Sequence, residues 1–192
     1  MDTPLFYIFL FVHLISLAVG FGAVIVIDMF GLLWTMKKIS LALVNQVAGF
    51  TQRLVWLGWG GLVASGIVLI VLKGYIDNLT MIKLFFVAML GVNGVLLHFI
   101  KKRMEQVRDG ELPADLRFRI AFSSVLSQIG WWGAISIGFV HRHIRHTINW
   151  PTHPEYVIAG LAIVCIVIGC VGIATVGKKE HGLAEHHRPT DA

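Results

Sequence analysis

LFYIFLFVHLISLAVGFGAVIVIDMFGLLW, residues 5–34, is an apolar run in which the only Asp, Glu, Lys, Arg or His side chains are His13 and Asp28. About 20 apolar residues in a helix are enough to cross the roughly 30 Å hydrocarbon layer of a membrane. The run is longer than the apolar part of a secretory signal and has no basic segment before it. We therefore expect it to be a retained transmembrane helix at about 4–36.

Four further apolar runs follow, and short charged stretches separate them. They predict transmembrane helices at about 53–73, 81–104, 118–140 and 155–176, with residues 39–52 as a short amphipathic link and Thr80 as the N-cap of the third helix. The 192 residues are 56% hydrophobic and only 14% charged, whereas roughly a quarter of a soluble domain is charged. The sequence predicts an all-α, polytopic membrane helix bundle over residues 1–177 and a polar, disordered tail at 178–192.

The distribution of lysine and arginine predicts the orientation of this bundle. Of the 16 Lys and Arg residues, all but four lie on one side of the predicted topology. The four exceptions are Lys73, Lys83, Arg142 and Arg145. Loops rich in lysine and arginine remain in the cytoplasm, so we expect the N-terminus outside and the C-terminus and its tail in the cytoplasm. The net charge of +5 is then explained by loops at the surface of the lipid bilayer and requires no nucleic acid.

Four ionisable side chains within the predicted helices are candidate functional residues, since such groups are costly in a membrane. They are His13, Asp28, Lys83 and His98. His13 lies roughly 15 Å below the outer surface, counted along its helix. It could ligate a haem iron or another metal, bond to a neighbouring helix, or relay protons.

His98 and Asp28 are expected near the cytoplasmic side. His98 could be a second metal ligand or an interfacial histidine, while Asp28 could accept a histidine N–H, pair with Arg53 or face water. Counting along the helices places His98 at roughly 27 Å depth, about 12 Å deeper than His13. Two axial ligands of one haem should lie at nearly equal depth. Therefore either the helices are shifted so that the two histidines lie at equal depth, or His13 has another partner, or there are two sites.

Two other groups of residues have alternative interpretations. The glycines at 20, 22, 58–66, 91, 94, 130 and 133 either let helices pack closely or leave a slot for a flat ring. The histidines His141, His143 and His146 form either a solvated interfacial belt or, at positions 143 and 146, a metal pair on one helix face.

His13-Leu14-Ile15 in the first helix and Ile82-Lys83-Leu84 in the third carry a resemblance to a known superfamily. Over residues 5–105 the chain resembles the bacterial membrane proteins that include the haem-dependent protoporphyrinogen oxidase and copper-resistance protein D. The resemblance implies a bacterial cytoplasmic (inner) membrane protein, b-type haem held by membrane histidines, and quinone-linked electron transfer. It assigns roles to His13 and Lys83, whereas the oxidase group has its third-helix histidine at the position of Gly94.

The leading hypothesis is accordingly an integral membrane, haem b-binding redox protein, an oxidoreductase or electron carrier with His13 and His98 as iron ligands. Lys83 would pair with a haem propionate, and Asp28 would support a ligand. The alternatives are a copper or small-solute permease and a non-catalytic accessory subunit, either a homo-oligomer or part of a larger membrane complex. The six methionines form no paired ladder of the kind that a soft-metal path uses.

Overall fold

The computed structural model describes residues 3–107, 112–143 and 149–186. Within these ranges the chain forms five helices and no strand, as predicted. The helices are α1 (Pro4–Thr35), α2 (Leu41–Lys73), α3 (Asn78–Met104), α4 (Ala114–His143) and α5 (Pro154–His186).

All five helices are long and apolar enough to cross a membrane. The 32 residues of α1 correspond to about 48 Å of helix, more than the roughly 30 Å hydrocarbon layer. Large apolar side chains are exposed around the bundle, including Phe11, Leu57 and Phe139. An apolar surface of this extent favours contact with lipid over contact with water, so the chain is a multi-pass membrane protein.

The two ends of the bundle differ in character. At one end, which we call the N-terminal face, the side-chain amide of Asn78 at the start of α3 donates to the backbone oxygens of Asn149 and Pro151 before α5. The opposite end, which we call the basic face, carries Lys37, Lys38 and the sequence Lys101-Lys102-Arg103 at or near the ends of α1 and α3.

The second helix begins earlier than predicted. Residues 39–52 do not form a separate link, because α2 starts at Leu41 and includes nearly all of this stretch. The backbone N–H of Leu43 donates to Ser40 Oγ at 3.3 Å, which makes Ser40 the N-cap. Serine in this position satisfies a free N–H of the first turn, and the stretch that follows contains no proline.

The third helix also begins earlier, and Thr80 is not its N-cap. Asp77 caps α3, since the backbone N–H of Thr80 donates to Asp77 Oδ1 at 2.8 Å. The preceding turn is made by Gly74, whose φ of 78° ends α2 in the left-handed conformation that glycine adopts readily.

The fifth helix extends into the predicted disordered tail. The backbone is helical to His186, because residues 178–186 are rich in Lys, Glu, Leu and Ala, which favour helix. Residues 187–192 of that tail and His146 lie outside the described residues.

The centre of the bundle is built by one side chain from each of the first four helices. Val24, Leu62, Leu90 and Trp131 are buried together, and Trp131 is only 1% exposed. The fifth helix packs at the side, where Ile158 and Leu161 contact Phe86 and Ala134. Most of α5 is therefore left facing lipid.

The closest helix contact joins α1 and α2 at a glycine notch formed by Gly20, Gly58 and Gly61. A Cβ added at Gly58 would lie 2.4 Å from the Cα of Gly20, and one at Gly61 would lie 2.3 Å from Ser16 Oγ. Elsewhere, Trp59 and Trp56 fill the space beside Gly91 and Gly94, while Leu90 and Phe86 fill that beside Gly130 and Gly133. At these positions the glycines accommodate side chains of neighbouring helices.

Candidate functional site

His13 lies between α1 and α2 in the half of the bundle nearer the N-terminal face. His13 is nine residues from the start of α1, and Ser65 is eight residues from the end of α2. His13 and Ser65 therefore both lie about 12–14 Å from the N-terminal face. His13 Nδ1 and Ser65 Oγ are 2.9 Å apart. Gly66 adjoins the ring, since a Cβ there would lie 3.5 Å from His13 Cε1.

The hydrogen bonds of Ser65 fix the tautomer of this histidine. The Ser65 hydroxyl donates its single proton to the backbone oxygen of Gly61 at 2.6 Å. It must therefore accept from His13, so the proton of the neutral imidazole is on Nδ1. The other ring nitrogen, Nε2, then carries the lone pair of the neutral imidazole, and the ring also makes a hydrogen bond to the backbone of Leu62. Histidines that bind metals have this arrangement, with one N–H donated to the protein and the other nitrogen free.

Lys83 lies in the same half of the bundle as His13. It is five residues into α3, its ammonium is 3.7 Å from a Cβ built at Gly138 of α4, and its charge acts on His13. Among the described residues, no carboxylate forms an ion pair with it. A partly buried cation without a carboxylate partner is suited to receive an anionic group of a ligand.

His98 lies near the opposite, basic face. Its side chain is exposed, and its Nδ1 is 3.4 Å from the side-chain nitrogen of Gln52. The Gln52 amide donates to Nδ1, at the long end of the hydrogen-bond range. The ring proton is then on Nε2, so His98 has the opposite tautomer to His13 and offers no free nitrogen in this arrangement.

The structure separates His13 and His98. Their partners on α2, Ser65 and Gln52, are 13 residues apart, which corresponds to about 20 Å along the helix. Two ligands of one iron must both lie within about 2 Å of the metal. The two histidines therefore do not share one haem in this conformation, and the separation exceeds the 12 Å that the sequence predicts.

Asp28 of α1 accepts hydrogen bonds from two side chains of α4. Its two carboxylate oxygens accept hydrogen bonds from Ser124 Oγ at 2.7 Å and from Gln128 Nε2 at 2.6 Å. Among the described residues, neither a histidine nor Arg53 bonds to Asp28, in contrast to two of the sequence-based interpretations. Both bonds are short, as is usual for an ionised acceptor, and they join the first helix of the chain to the fourth.

The histidines beyond the membrane helices do not form a common metal site in the described residues. His141 contacts Asp77 at 3.3 Å, His143 bonds and stacks with Phe139 of its own helix, and His153 pairs with Glu155. No group of three metal-binding side chains is present in the described part of the chain. The pairing of His143 with His146 involves a residue outside that part.

Asp77 is the centre of an ionic cluster at the N-terminal face. Its carboxylate accepts a hydrogen bond from Lys73, which also lies over the ring of Tyr75. Burial raises the pKa of the Asp77 carboxyl, but the hydrogen bonds from Lys73 and Thr80 and the charge of His141 outweigh it. The pKa of Asp77 is therefore lower than its ordinary value, and the ionised form stabilises the fold.

The variant Asp77→Asn is expected to lose about 2 kcal/mol of stability at neutral pH, because asparagine still caps α3 but leaves Lys73 without its carboxylate. Because the pKa of Asp77 is lower in the folded state, its contribution to stability is complete above the unfolded-state pKa of about 4. This contribution is lost as the pH falls through the folded-state pKa. Unfolding of both proteins in mixed micelles, measured from pH 7 to pH 3, checks this. The difference in unfolding free energy between the two proteins should shrink below about pH 4. A constant difference would contradict a stabilising role for the ionised Asp77.

Several partners of the candidate residues could not be identified from sequence. Ser65 and Gln52 carry no distinctive motif, and only the register of α2 against α1 and α3 shows that they meet His13 and His98. Ser124 and Gln128 stand out as polar residues in a membrane helix, which was a usable signal. Their spacing of four residues places them on one helix face, where both reach Asp28.

No family model, curated protein or solved structure matches this chain. The superfamily resemblance of residues 5–105 is therefore still a hypothesis.

Proposed function

We propose that this chain is an integral membrane haem-binding redox protein in which His13 would bind the iron through Nε2. The observation that carries the proposal is the bond from His13 Nδ1 to a serine whose own proton is already donated to Gly61. This bond directs the free lone pair to Nε2. A neutral imidazole is also the ligand type that costs least in lipid, because it needs no charge.

Lys83 supports the same assignment. Haem carries carboxylate side chains as well as iron, and Lys83 is a cation without a carboxylate partner among the described residues, close enough to act electrostatically on His13. Together the two residues provide a nitrogen ligand and a counter-charge for one amphipathic anion. Ser65 would hold the proton on Nδ1 and so keep the imidazole oriented and basic.

The separation of His98 changes the ligand set from the one predicted. Of the two histidines predicted as iron ligands, only His13 would then hold the iron, and a second ligand would come from elsewhere. When bound, haem supplies one-electron chemistry. His98 and Asp28 are not part of this site, because their bonds to Gln52, Ser124 and Gln128 lie nearer the basic face.

The basic face is expected to be cytoplasmic, since it carries the clusters of lysine and arginine. His13 and Lys83 then lie nearer the outside of a bacterial inner membrane. A quinone in the bilayer is a suitable electron partner for such a site, and a second copy of the chain or a larger membrane complex could cover the exposed face of α5.

The test is the visible spectrum of the protein, expressed with ample haem and purified in mild detergent, before and after reduction with dithionite. We expect a Soret band and, after reduction, the broad visible band of haem with a single histidine ligand, together with a shift on addition of carbon monoxide. Sharp α and β bands that resist carbon monoxide would instead indicate two strong ligands. A colourless protein would contradict haem binding and leave the permease and accessory-subunit hypotheses.

A further inference from the structure

A second feature, separate from the His13 region, is a partly open cavity between α1, α2, α3 and α4 in the half nearer the basic face. Its volume is about 160 Å³, and its walls are mostly apolar, with three tryptophans, Trp56, Trp59 and Trp131. A cavity of about 150 Å³ in a protein core accommodates one benzene molecule. The space therefore matches a single six-membered ring, and the tryptophans offer faces on which such a ring can stack.

Two polar atoms in the walls lack hydrogen-bond partners. Trp131, 1% exposed, has no acceptor for its Nε1–H, and the buried Oδ1 of Asn45 has no donor. Both residues line the cavity. Buried polar groups in native proteins are nearly always paired, so the unpaired N–H of Trp131 in the wall of the cavity indicates a ligand that can accept a hydrogen bond.

Asp28 gives the same cavity a fixed polar wall. Its carboxylate, which lines the space, accepts from Ser124 and Gln128. An ionised carboxylate has about four acceptor positions, so lone pairs remain for a donor. Asp28 is also close to Trp131, because Gln128, which binds Asp28, lies three residues before Trp131 on the same face of α4. The polar groups of this part of the cavity thus include an acceptor on Asp28 and an N–H donor on Trp131.

The cavity adjoins a more open pocket of about 390 Å³ that reaches towards the basic face. The two share Gln52, Trp56 and Lys101, while Arg53 and His98 line only the open pocket. This gives a route from the membrane surface into the cavity. The basic lining of the route disfavours a metal cation as the occupant, because like charges repel at the entrance.

We propose that this cavity binds a hydroxylated aromatic ring, a ligand of the phenol class. A phenolic hydroxyl both donates and accepts, so it can donate to the Asp28 carboxylate and accept from the Trp131 N–H. A hydrocarbon ring or a lipid tail would fill the volume but leave the same polar atoms unpaired. The site does not depend on haem binding at His13, because it lies in the other half of the bundle and uses other residues.

The experiment uses 4-bromophenol as the probe, because bromine quenches the fluorescence of tryptophans that it contacts. The full chain is reconstituted in lipid nanodiscs and titrated with 4-bromophenol and, separately, with bromobenzene, which has no hydroxyl. The key variant is Gly31→Leu: Gly31 lines the cavity, and a Cβ there meets nothing within 4 Å, so leucine fills the space without disturbing the backbone. The matched control is Gly22→Leu, also on α1 and also open, but away from the cavity.

We expect saturable quenching by 4-bromophenol in the native protein and in Gly22→Leu, and only linear quenching from lipid partition in Gly31→Leu. All six tryptophans are retained in these three proteins, so their signals are comparable. Trp131→Phe, which keeps a ring but removes the N–H, should weaken binding about tenfold. Linear quenching in the native protein, or bromobenzene binding as tightly as 4-bromophenol, would overturn the proposal.

Discussion

Gly58→Ala is expected to destabilise the bundle by about 3 kcal/mol, because the added methyl group has no space between α1 and α2. Its carbon would lie 2.4 Å from Gly20 Cα, 2.5 Å from Gly20 N and 2.8 Å from the Ser16 backbone oxygen. All three atoms belong to backbone, which cannot rotate away as a side chain can. The two helices would have to separate, and the bond between His13 and Ser65 would lengthen with them.

The matched control is Gly60→Ala, two residues further along the same helix, where an added Cβ meets nothing within 4 Å. Alanine favours helix over glycine by about 0.5–1 kcal/mol, so this variant should be neutral or slightly more stable. The two variants and the native protein are compared by unfolding in mixed micelles with increasing SDS, followed by circular dichroism. Equal stability of the two variants would show that α1 and α2 do not meet at the glycine notch.

His13→Ala is expected to abolish haem binding, with complete loss of the Soret band. His13 is the candidate with a free ring nitrogen held in a fixed tautomer, and alanine provides no ligand in its place. The measurement is the ratio of Soret to 280 nm absorbance in purified protein, together with extracted haem per chain. Circular dichroism and gel filtration establish that the variant is folded.

The control for this result is His98→Ala. The α2 partner of His98 lies about 20 Å along that helix from the partner of His13, so this variant should leave the haem content unchanged. Ser65→Ala is the graded test, because it removes only the acceptor of the Nδ1 proton. Loss of such a supporting bond typically weakens metal binding by 10–100-fold, so partial haem loss is expected. Haem retained in His13→Ala, or lost equally in His98→Ala, would refute the assignment of His13.

The number and type of helices could be predicted from sequence because lipid imposes one strong condition, a long apolar run with few charges. The ends of the helices were harder to predict from the sequence. Hydropathy detects where a helix enters lipid, whereas Ser40 and Asp77 begin their helices through single hydrogen bonds to backbone N–H groups. The segment from Leu41 to Gln52 is helical although it is not strongly apolar.

The candidate residues could be selected from their positions within apolar runs, but their hydrogen-bond partners could not be predicted. His13, Lys83, His98 and Asp28 stand out as ionisable groups in apolar runs, and counting residues correctly placed the two histidines at different depths. Which side chains meet depends on how each helix is rotated and shifted against its neighbours. That register is determined by local fits, such as Ser16 against Gly61, which no pattern in a single sequence reveals.

The bond between Asp28 and α4 has a consequence for how the protein is made. Asp28 leaves the ribosome with the first helix, but Ser124 and Gln128 follow 96 and 100 residues later. Until they arrive, the carboxylate of the newly made first helix lacks both hydrogen-bond donors, and lipid is a poor solvent for it. We therefore expect the first helix to become stably seated in lipid only after the fourth helix has been delivered.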